Sequence, residues 1–535
     1  MCRVTAGESL VTPDLGRWCA QHTLRVLVLA VLVCGQAIAG RTLSVTLRSR
    51  EAIADAPARF SVVYEQQQWD PCDTAIIICD MWDQHWCQGA TERVGELAPV
   101  MNQVVSTARD MGVFIIHAPS DTMEHYKDHP ARRRAIDAPK ATSVPQGVTS
   151  WRTWKDNAEK TVGYPIDASD GGCDCQPRCR EGSPWTGEVG TIRIDEGRDA
   201  ISDSGVEIWN LLESRGIDNV IVMGVHTNMC VLGRPFGLRN LANAGKNVVL
   251  MRDLTDTMYN SRRPPQVSHF TGTDLVVEHV EQYVCPTTTS NVFTGRPAFR
   301  FKEDKRPLVV FLSAESEYKA VETLPDFARE LELKHGVDGE ILQATTAKQG
   351  DAIHTIHGME ILTDADLVVV FARRRAFQPE QMKYLREFLA RGGPLIGLRT
   401  ASHAFDARGT GPKGHEEWPT FDADVLGGNY HGHHGAGPVA TITAARGVAA
   451  DPILKGVELP LSSNGSLYQT SPLAGGTRLL LVGKTPGQQP EPVAWTNRYG
   501  NSRVFYTSLG HPDDFENPQF RKLLTNAVFW AMARD

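Results

Sequence analysis

Short apolar runs alternate with amphipathic segments along most of this chain. Apolar runs without internal polar positions predict strands that are buried on both faces. The segments between them carry apolar residues three and four positions apart, which predicts helices that cover such strands. The alternation occurs in two blocks, 73–285 and 307–535, and predicts α/β architecture with two doubly wound parallel sheets in tandem. The clearest predicted strands are TAIIICD, VFIIHAPS, NVIVMGV and NVVLMRD in the first block, and LVVFLSA, ADLVVVF, PLIGLRT and SRVFYTSLG in the second.

The two blocks predict two separate domains. A chain of 535 residues is longer than one hydrophobic core usually supports, so each block is expected to form its own Rossmann-like, three-layer α/β/α domain. Residues 286–306 between them are rich in turn formers and have no sustained period, which predicts a linker. Residues 40–72 are predicted to be an N-terminal extension of the first domain.

The first 39 residues have the pattern of a secretory signal. The apolar run VLVLAVLVCG follows Arg25 and precedes the small-residue site at 37–39. The run is short for a membrane span, so no stable span is expected after cleavage. The pattern predicts a bacterial protein that is exported to the periplasm or the exterior; a retained anchor or a misassigned start is the alternative.

Composition narrows the classes of partner. Hydrophobic residues make up 41% and charged residues 22% of the chain, which is typical of globular domains. The formal net charge is −8 and no long basic face is visible, which argues against a nucleic-acid partner. The expected partner is a small-molecule substrate, and a homo-oligomer is left open.

Several polar side chains of the first block follow predicted strands, where ligands bind in open parallel sheets. Asp80 follows one strand, and His226 and Cys230 follow another. Cys230 also begins a predicted helix, whose dipole favours a thiolate, and a nearby carboxylate could move the thiol proton. These residues predict a nucleophilic thiol site. The alternative is that Cys230 is an inert buried thiol and Asp80 is a turn residue.

The segments IIICDMWDQHWC and GVHTNMCVLGRPFGLRNLANAG resemble the isochorismatase-like cysteine hydrolases, which include nicotinamidases. The resemblance covers about 73–283 and implies hydrolysis of an amide or related C–N or acyl bond. It implies that Asp80 and Cys230 are the acid and nucleophile of an Asp–Lys–Cys triad, and that the peptide bond near Val225–His226 is cis. His226 therefore joins the predicted catalytic group.

The lysine of that triad is missing. The segment GTIRIDEGRDAISDSG stands where the resemblance places it, and it contains Arg193 and Asp195 but no lysine. Arg193 and Lys127 are therefore the candidate charge partners. An arginine supplies charge but is a poor proton donor.

The resemblance to nicotinamidases also implies a divalent metal such as zinc. His85, His117 and Asp83 are the candidate ligands in this chain. The alternative is that they are ordinary solvated loop residues. No other cofactor is predicted.

Three cysteines, Cys173, Cys175 and Cys179, lie within one loop segment. They predict either disulfides or a metal clip, and export favours disulfides. The candidate disulfide partners are Cys72, Cys79 and Cys87.

In the second block, the strand before Arg399 ends in a sharp turn of small residues, GGPLIGLRTASHAF. Glutamine-amidotransferase-like folds carry a nucleophilic cysteine at such an elbow. The block contains no cysteine, which excludes thiol amidotransferase chemistry there.

Together with LGGNYHGHHGAGPVATI, GSLYQTSPL and the closing segment SRVFYTSLGHPDDFENP, this elbow resembles the trehalose-utilisation (ThuA-like) family over about 307–535. The resemblance implies a sugar-related domain, although Gly465 and Ser466 replace two acids of the family pattern. Imidazoles and a planar guanidinium could bind a ligand or a metal, or could simply pack within the loops. The candidate site residues are Arg399, His403, His431, His433, His434, Tyr468 and His511.

The sequence therefore predicts a cysteine hydrolase domain with an appended ThuA-like domain. The alternatives are a catalytically degenerate carbohydrate-binding protein and a metal-dependent sugar-active enzyme acting through the second domain.

Overall fold

The computed structural model describes residues 42–54, 56–344 and 350–533. The predicted signal sequence, 1–39, lies outside the described residues. Within them no helix combines the length and apolar character that crossing a membrane requires.

The first domain is built on a mixed sheet that has eight strands in the described part of the chain, in the order β2-β1-β8-β7-β6-β3-β4-β5. The strands from β3 to β8 run parallel to one another, and β1 pairs antiparallel with both β2 and β8. The strands are β1 (Leu43–Ile53), β2 (Ala56–Trp69), β3 (Thr74–Cys79), β4 (Phe114–Ala118), β5 (Ala200–Ile201), β6 (Asn219–Val225), β7 (Asn247–Asp256) and β8 (Thr287–Thr288).

Helices cover both faces of this sheet. All residues of β3 are buried. Its consecutive residues Ile77 and Ile78 pack into separate cores on opposite faces of the sheet, as expected for a parallel strand covered on both sides. A π-helical turn, Thr227–Val231, follows β6. The helices are α1 (Gln88–Met111), α2 (Pro130–Ile136), α3 (Asn157–Val162), α4 (Gly205–Arg215), α5 (Leu238–Asn243), α6 (His269–Tyr283) and α7 (Asn291–Thr294).

The second domain has a sheet of nine strands among the described residues, in the order β10-β9-β11-β12-β19-β18-β17-β14-β15. The five strands from β10 to β19 in this order are parallel, and the other four extend the sheet antiparallel. The strands are β9 (Leu308–Ala314), β10 (Asp338–Gln343), β11 (Leu367–Ala372), β12 (Leu395–Leu398), β14 (Ala440–Ala444), β15 (Leu461–Ser463), β17 (Arg478–Lys484), β18 (Glu491–Tyr499) and β19 (Ser502–Thr507), with β13 (Gly432–His433) and β16 (Tyr468–Gln469) forming a separate pair.

Helices cover this sheet too, with buried apolar clusters on its two faces. The prediction of tandem α/β domains is confirmed. The second sheet was predicted to be parallel, but four of its strands extend it antiparallel. The sequence does not predict this, because apolar runs do not specify strand direction. The helices are α8 (Ala320–His335), α9 (Pro379–Ala390), α10 (Pro512–Glu516) and α11 (Pro518–Ala531).

The β1–β2 hairpin packs against both domains. Val45 lies in a core of the first domain and Val62 in a core of the second. Arg48 of β1 is buried and pairs with Glu281 of the first domain and Glu340 of the second. The hairpin falls within the segment predicted as an extension, and β8 and α7 fall within the segment predicted as a linker.

Candidate active site

Asp80 lies at the carboxyl end of β3, fully buried, with a left-handed φ of 48°. Its N–H donates to the Ala118 carbonyl over 3.1 Å, and its Oδ1 accepts from the Ser120 N–H over 2.8 Å. A positive φ is unfavourable for a residue with a side chain and persists only where its surroundings fix it. The end of β4 thus holds the Asp80 carboxylate in one position.

Cys230 lies on the π-helical turn that follows β6, next to the end of β3. The Val225–His226 peptide bond before this turn is cis, as the resemblance implies. The N–H groups of Met229 and Val231 both donate to the His226 carbonyl, which closes the turn. Cys230 is partly buried, and its thiol lies close enough to the Asp80 carboxyl group to interact with it electrostatically, each raising or lowering the pKa of the other. The structure therefore brings the predicted nucleophile and acid together.

Arg234 completes this cluster. Its Nε donates to Asp80 Oδ2 over 3.2 Å, Nη2 lies 3.4 Å from Asp121 Oδ2, and its positive charge opposes the rise in the pKa of Cys230. The sequence analysis missed this residue. Its spacing of four from Cys230 was the available signal, because helical residues four apart lie on one face.

Burial and charge act in opposite directions on this site. Burial raises the pKa of Asp80, and the positive charge of Arg234 opposes that shift. Burial and the charge of Asp80 raise the pKa of Cys230 well above its ordinary value, and Arg234 again opposes the shift. The resting thiol is therefore protonated, and the carboxylate of Asp80 is in contact to accept its proton.

Arg193 and Lys127 do not reach this cluster. The Arg193 N–H donates to Asn102, and the Arg193 carbonyl accepts from Arg109. Lys127 is exposed and paired with Glu124. The charge partner is Arg234, which enters from the helical side. Arg193 was the candidate because the resemblance places the charge partner in the segment before β5. That segment carries no information on which residues follow Cys230.

The predicted metal ligands also lie apart. His117 Nδ1 lies 2.7 Å from Glu188 Oε2, and its Nε2 lies 3.2 Å from Asp199 Oδ2. Burial disfavours the charged ring, but the charge of Glu188 and the hydrogen bonds of both carboxylates raise the pKa of His117 to about 9. An imidazole with both nitrogens donating has no lone pair for a metal. His117 is therefore a structural cation and not a metal ligand.

The other two candidate ligands, Asp83 and His85, form hydrogen bonds with nearby residues. Asp83 accepts from the N–H and hydroxyl of Thr186, and His85 Nδ1 accepts from the Cys87 N–H over 3.1 Å. His85, His117 and Asp83 thus do not fit a shared metal ion.

Aromatic side chains form one flank near the thiol. His226 is buried, its ring lies 4.9 Å from that of His85, and burial lowers its pKa to about 3, so it is neutral. Trp82 stacks on Trp185 at 4.4 Å, and His85 stacks on Trp185 at 5.9 Å. Trp185 was not predicted, because its long loop has no period that reveals its partner. His226 is placed to shape the site and not to act as an acid.

In the second domain, Arg399 occupies the elbow after β12 with a φ of 43°. Its Nη1 donates to the Ser508 carbonyl over 2.8 Å, and its guanidinium lies 4.0 Å from the Tyr318 ring and 4.8 Å from the Tyr468 ring. A Cβ on Gly465 would lie 2.7 Å from Nη1, so glycine provides the space that the arginine needs. The guanidinium therefore fills the region above the elbow.

His403 lies beside this arginine. Its ring stacks on Tyr430 at 4.6 Å and lies 6.1 Å from Tyr468. Burial and nearby arginines lower the pKa of His403 to about 3, so the ring is neutral. Arg399, His403 and Tyr468 form one aromatic cluster.

The remaining histidines do not converge on that cluster as a metal site. His431 and His433 are exposed, and their Nδ1 atoms bond to neighbouring backbone carbonyls. His434 faces Glu491 at 3.5 Å, and His511 caps α10. Each of these imidazoles thus has a local partner, which agrees with the alternative that they pack within the loops.

Residues 308–531 match the protein-family model described as Trehalose utilisation (ThuA). Among similar solved structures, a ThuA-like protein from Parabacteroides merdae is 17% identical, with a TM-score of 0.33, and the match covers 43% of this chain and 90% of that chain. A cysteine hydrolase from Pseudomonas syringae pv. phaseolicola is 16% identical, with a TM-score of 0.26, and covers 42% of this chain and 92% of its own. An isochorismatase family protein from Burkholderia thailandensis is 12% identical, with a TM-score of 0.25, and covers 42% and 95%. No curated protein matches the chain.

The chain is a tandem α/β protein. Its second domain, at 308–531, matches the ThuA family model, and the structural neighbours of its N-terminal region include isochorismatase-like cysteine hydrolases. The resemblance of the second domain to the ThuA family is therefore confirmed.

Proposed function

We propose that the first domain is a cysteine hydrolase that cleaves an amide or related acyl bond of a small molecule. The observation that carries the proposal is the contact between the Cys230 thiol, the Asp80 carboxylate and the Arg234 guanidinium at the carboxyl ends of β3 and β6. A nucleophile, a base and an orienting cation in mutual contact are what thiol acyl transfer needs.

The reaction begins with transfer of the Cys230 proton to Asp80 as the sulfur attacks the carbonyl carbon. Asp80 then gives this proton to the departing amine, and a thioester remains on Cys230. Water attacks the thioester, passes a proton to Asp80, and releases the acid. The proton returns to the sulfur, so the site is regenerated.

Arg234 acts through its charge and not through proton transfer, because its pKa is above about 12. Its guanidinium favours the ionised forms of both Asp80 and Cys230. Main-chain N–H groups at the turn that carries Cys230 would hold the developing oxyanion.

The test is ammonia or amine release by the full chain from a panel of small amides, including nicotinamide. We expect hydrolysis that is lost in Cys230→Ser and retained in Cys72→Ser, since Cys72 lies outside the cluster. Absence of release across the panel, together with no covalent acyl adduct on Cys230 by mass spectrometry, would overturn the proposal.

A second candidate function belongs to the ThuA domain. We propose that the cluster of Arg399, Tyr468 and His403 binds a polyhydroxyl ligand, because a guanidinium held against aromatic rings offers planar donors beside apolar ring faces. Calorimetric titration of the full chain with trehalose and with glucose tests it. Binding that Arg399→Met removes supports the proposal, and no heat with either sugar contradicts it.

A further inference from the structure

Four cysteine sulfurs meet beside the candidate active site. Cys87 is the N-cap of α1, and Cys173, Cys175 and Cys179 come from the long loop between α3 and β5. Their Sγ atoms all lie within 4.8 Å of one another. Within the described ranges, this is the one group of three or more His, Cys, Asp or Glu side chains whose ligand atoms are this close. We call it the four-cysteine cluster.

The spacing of the sulfurs fits a bound ion. The Cys87 and Cys175 sulfurs are 3.7 Å apart. Tetrahedral coordination with Zn–S bonds of about 2.3 Å places neighbouring sulfurs about 3.8 Å apart. No disulfide joins cysteines in the described part of the chain, and Cys72 and Cys79 are not members of the cluster. The cluster therefore differs from the disulfides that the sequence favoured.

Main-chain N–H groups donate to two of the four sulfurs. The Gln88 N–H donates to Cys179 Sγ over 3.4 Å, and the Gly89 N–H donates to Cys175 Sγ over 3.3 Å. Both donors lie in the first turn of α1, a helix of 24 residues, where the helix dipole favours negative charge. Hydrogen bonds from backbone N–H groups to ligand atoms are the outer shell that metal sites use.

A cation flanks the same sulfurs. A Cβ built on Gly89 would lie 3.1 Å from Arg93 Nη1 and 3.4 Å from Cys175 Sγ, so the guanidinium and the sulfur face each other across this glycine. Arg93 also pairs with Asp256 over 2.7 Å, which fixes its position. Four thiolates around a divalent ion carry a net charge of about −2, and Arg93 offsets part of it.

We propose that Cys87, Cys173, Cys175 and Cys179 bind one Zn²⁺ as a tetrathiolate. Four sulfur ligands in a tetrahedral arrangement select zinc or iron, and a site closed by four protein ligands is structural. The ion binds as the four thiols release their protons to solvent, and no oxidant takes part.

The ion would hold one wall of the candidate active site. Met229, the residue before Cys230, packs on the cluster, and so does Met258. His85 is two residues before Cys87 and lies against His226. Zinc thus ties the loop at 173–179 to the start of α1 and supports the turn that carries the thiol.

Metal analysis of the purified full chain tests the proposal. We expect about one Zn²⁺ per chain, and Co²⁺ exchanged into the site should give the charge-transfer and d–d bands of a tetrahedral tetrathiolate. Cys175→Ser and Cys179→Ser should each lower zinc retention at least tenfold. Cys72→Ser and Cys230→Ser, as matched cysteine controls, should retain it. Because the readout is metal content, it does not depend on the proposed hydrolase activity.

A second measurement uses the unmodified chain, so it does not depend on whether a variant folds. Removal of zinc with a chelator should speed tryptic cleavage after Arg178 and Arg180, which lie in the loop that the ion holds. Readdition of Zn²⁺ should restore protection. Zinc-free protein, iron in place of zinc, two disulfides among the four cysteines, or full zinc retention in both serine variants would overturn the proposal.

Discussion

At the scale of single residues, the thiol site depends on which cation stands beside Cys230. The guanidinium of Arg234 donates to Asp80 and acts by its charge on Cys230, and in the proposed reaction it takes the place of the missing lysine. An arginine in that place separates two functions that a lysine combines, since it stabilises charge but does not exchange a proton. Proton transfer then falls to Asp80 alone.

Replacement of Arg234 tests this division. Arg234→Gln removes the charge that lowers the pKa of Cys230, so alkylation by iodoacetamide at neutral pH should slow by about tenfold or more, one pKa unit being a factor of ten in thiolate. Amide hydrolysis should fall at least as much. Arg234→Lys keeps the charge and should retain most of the alkylation rate. Equal rates in the wild type and Arg234→Gln would show that the guanidinium does not act on the sulfur.

The sequence predicted some of these residues better than others. Asp80 and Cys230 could be placed together because each follows an apolar strand, and the ends of adjacent parallel strands meet at one sheet edge. Arg234 is four positions after Cys230, a spacing that places both on one side of a helical turn, but only the fold shows that this side faces Asp80. The contacts of His117 could not be predicted, because its partners, Glu188 and Asp199, are more than seventy positions away in sequence.

At the scale of elements, buried ion pairs fasten long loops to the strands. His117 ends β4 and binds Glu188 and Asp199, which belong to the long excursion between β4 and β5. Arg109 of α1 also pairs with Asp199. This long segment has few backbone hydrogen bonds of the kind that helices and strands repeat. Buried polar contacts such as these hold it in position instead.

The contribution of His117 should depend on pH. Its pKa is raised from 6.5 to about 9, so its stabilisation is fully present below pH 6.5 and is lost as the pH rises through about 9. The free energy of unfolding of the wild type should exceed that of His117→Gln by on the order of 3 kcal/mol near pH 6, since one pKa unit corresponds to about 1.4 kcal/mol. The difference should shrink steadily towards alkaline pH.

Urea titrations at several pH values measure this difference. His125→Gln is the control, because His125 is an exposed histidine of the same loop region. A gap between the wild type and His117→Gln that is constant from pH 6 to pH 9.5 would contradict a charged His117.

At the scale of the whole molecule, the β1–β2 hairpin joins two separately cored domains. Arg48 donates from Nε to Glu281 over 2.8 Å and pairs through Nη1 with Glu340, so one buried guanidinium bridges both sheets. Tyr64 of β2 donates to the Ile341 carbonyl over 3.1 Å. No pattern along the chain indicates this bridge, because it depends on residues that are more than two hundred positions apart.

Removal of this bridge should uncouple the domains. Arg48→Met takes one of its two arginine partners from the buried carboxylate of Glu281 and the closest cation from the half-buried Glu340, and breaking a buried pair in this way costs about 3–5 kcal/mol. Calorimetry should show two separated unfolding transitions in place of overlapping ones. The matched control is Arg59→Met, because Arg59 pairs at the surface with Asp326 and Glu516 and should contribute about 1 kcal/mol or less. Identical thermograms for Arg48→Met and the wild type would contradict the bridging role.

The central claim is that Asp80 is the proton carrier for a nucleophilic Cys230. The most direct measurement compares iodoacetamide labelling of Cys230 and amide turnover in the wild type and in Asp80→Asn. Burial and the Asp80 charge raise the pKa of Cys230, so Asp80→Asn removes the charge and should shift labelling to lower pH. Turnover should nevertheless fall by about 10²-fold or more, because the leaving amine has lost its proton donor. Unchanged turnover in Asp80→Asn, or a Cys230 thiol that no reagent reaches in either protein, would contradict the account.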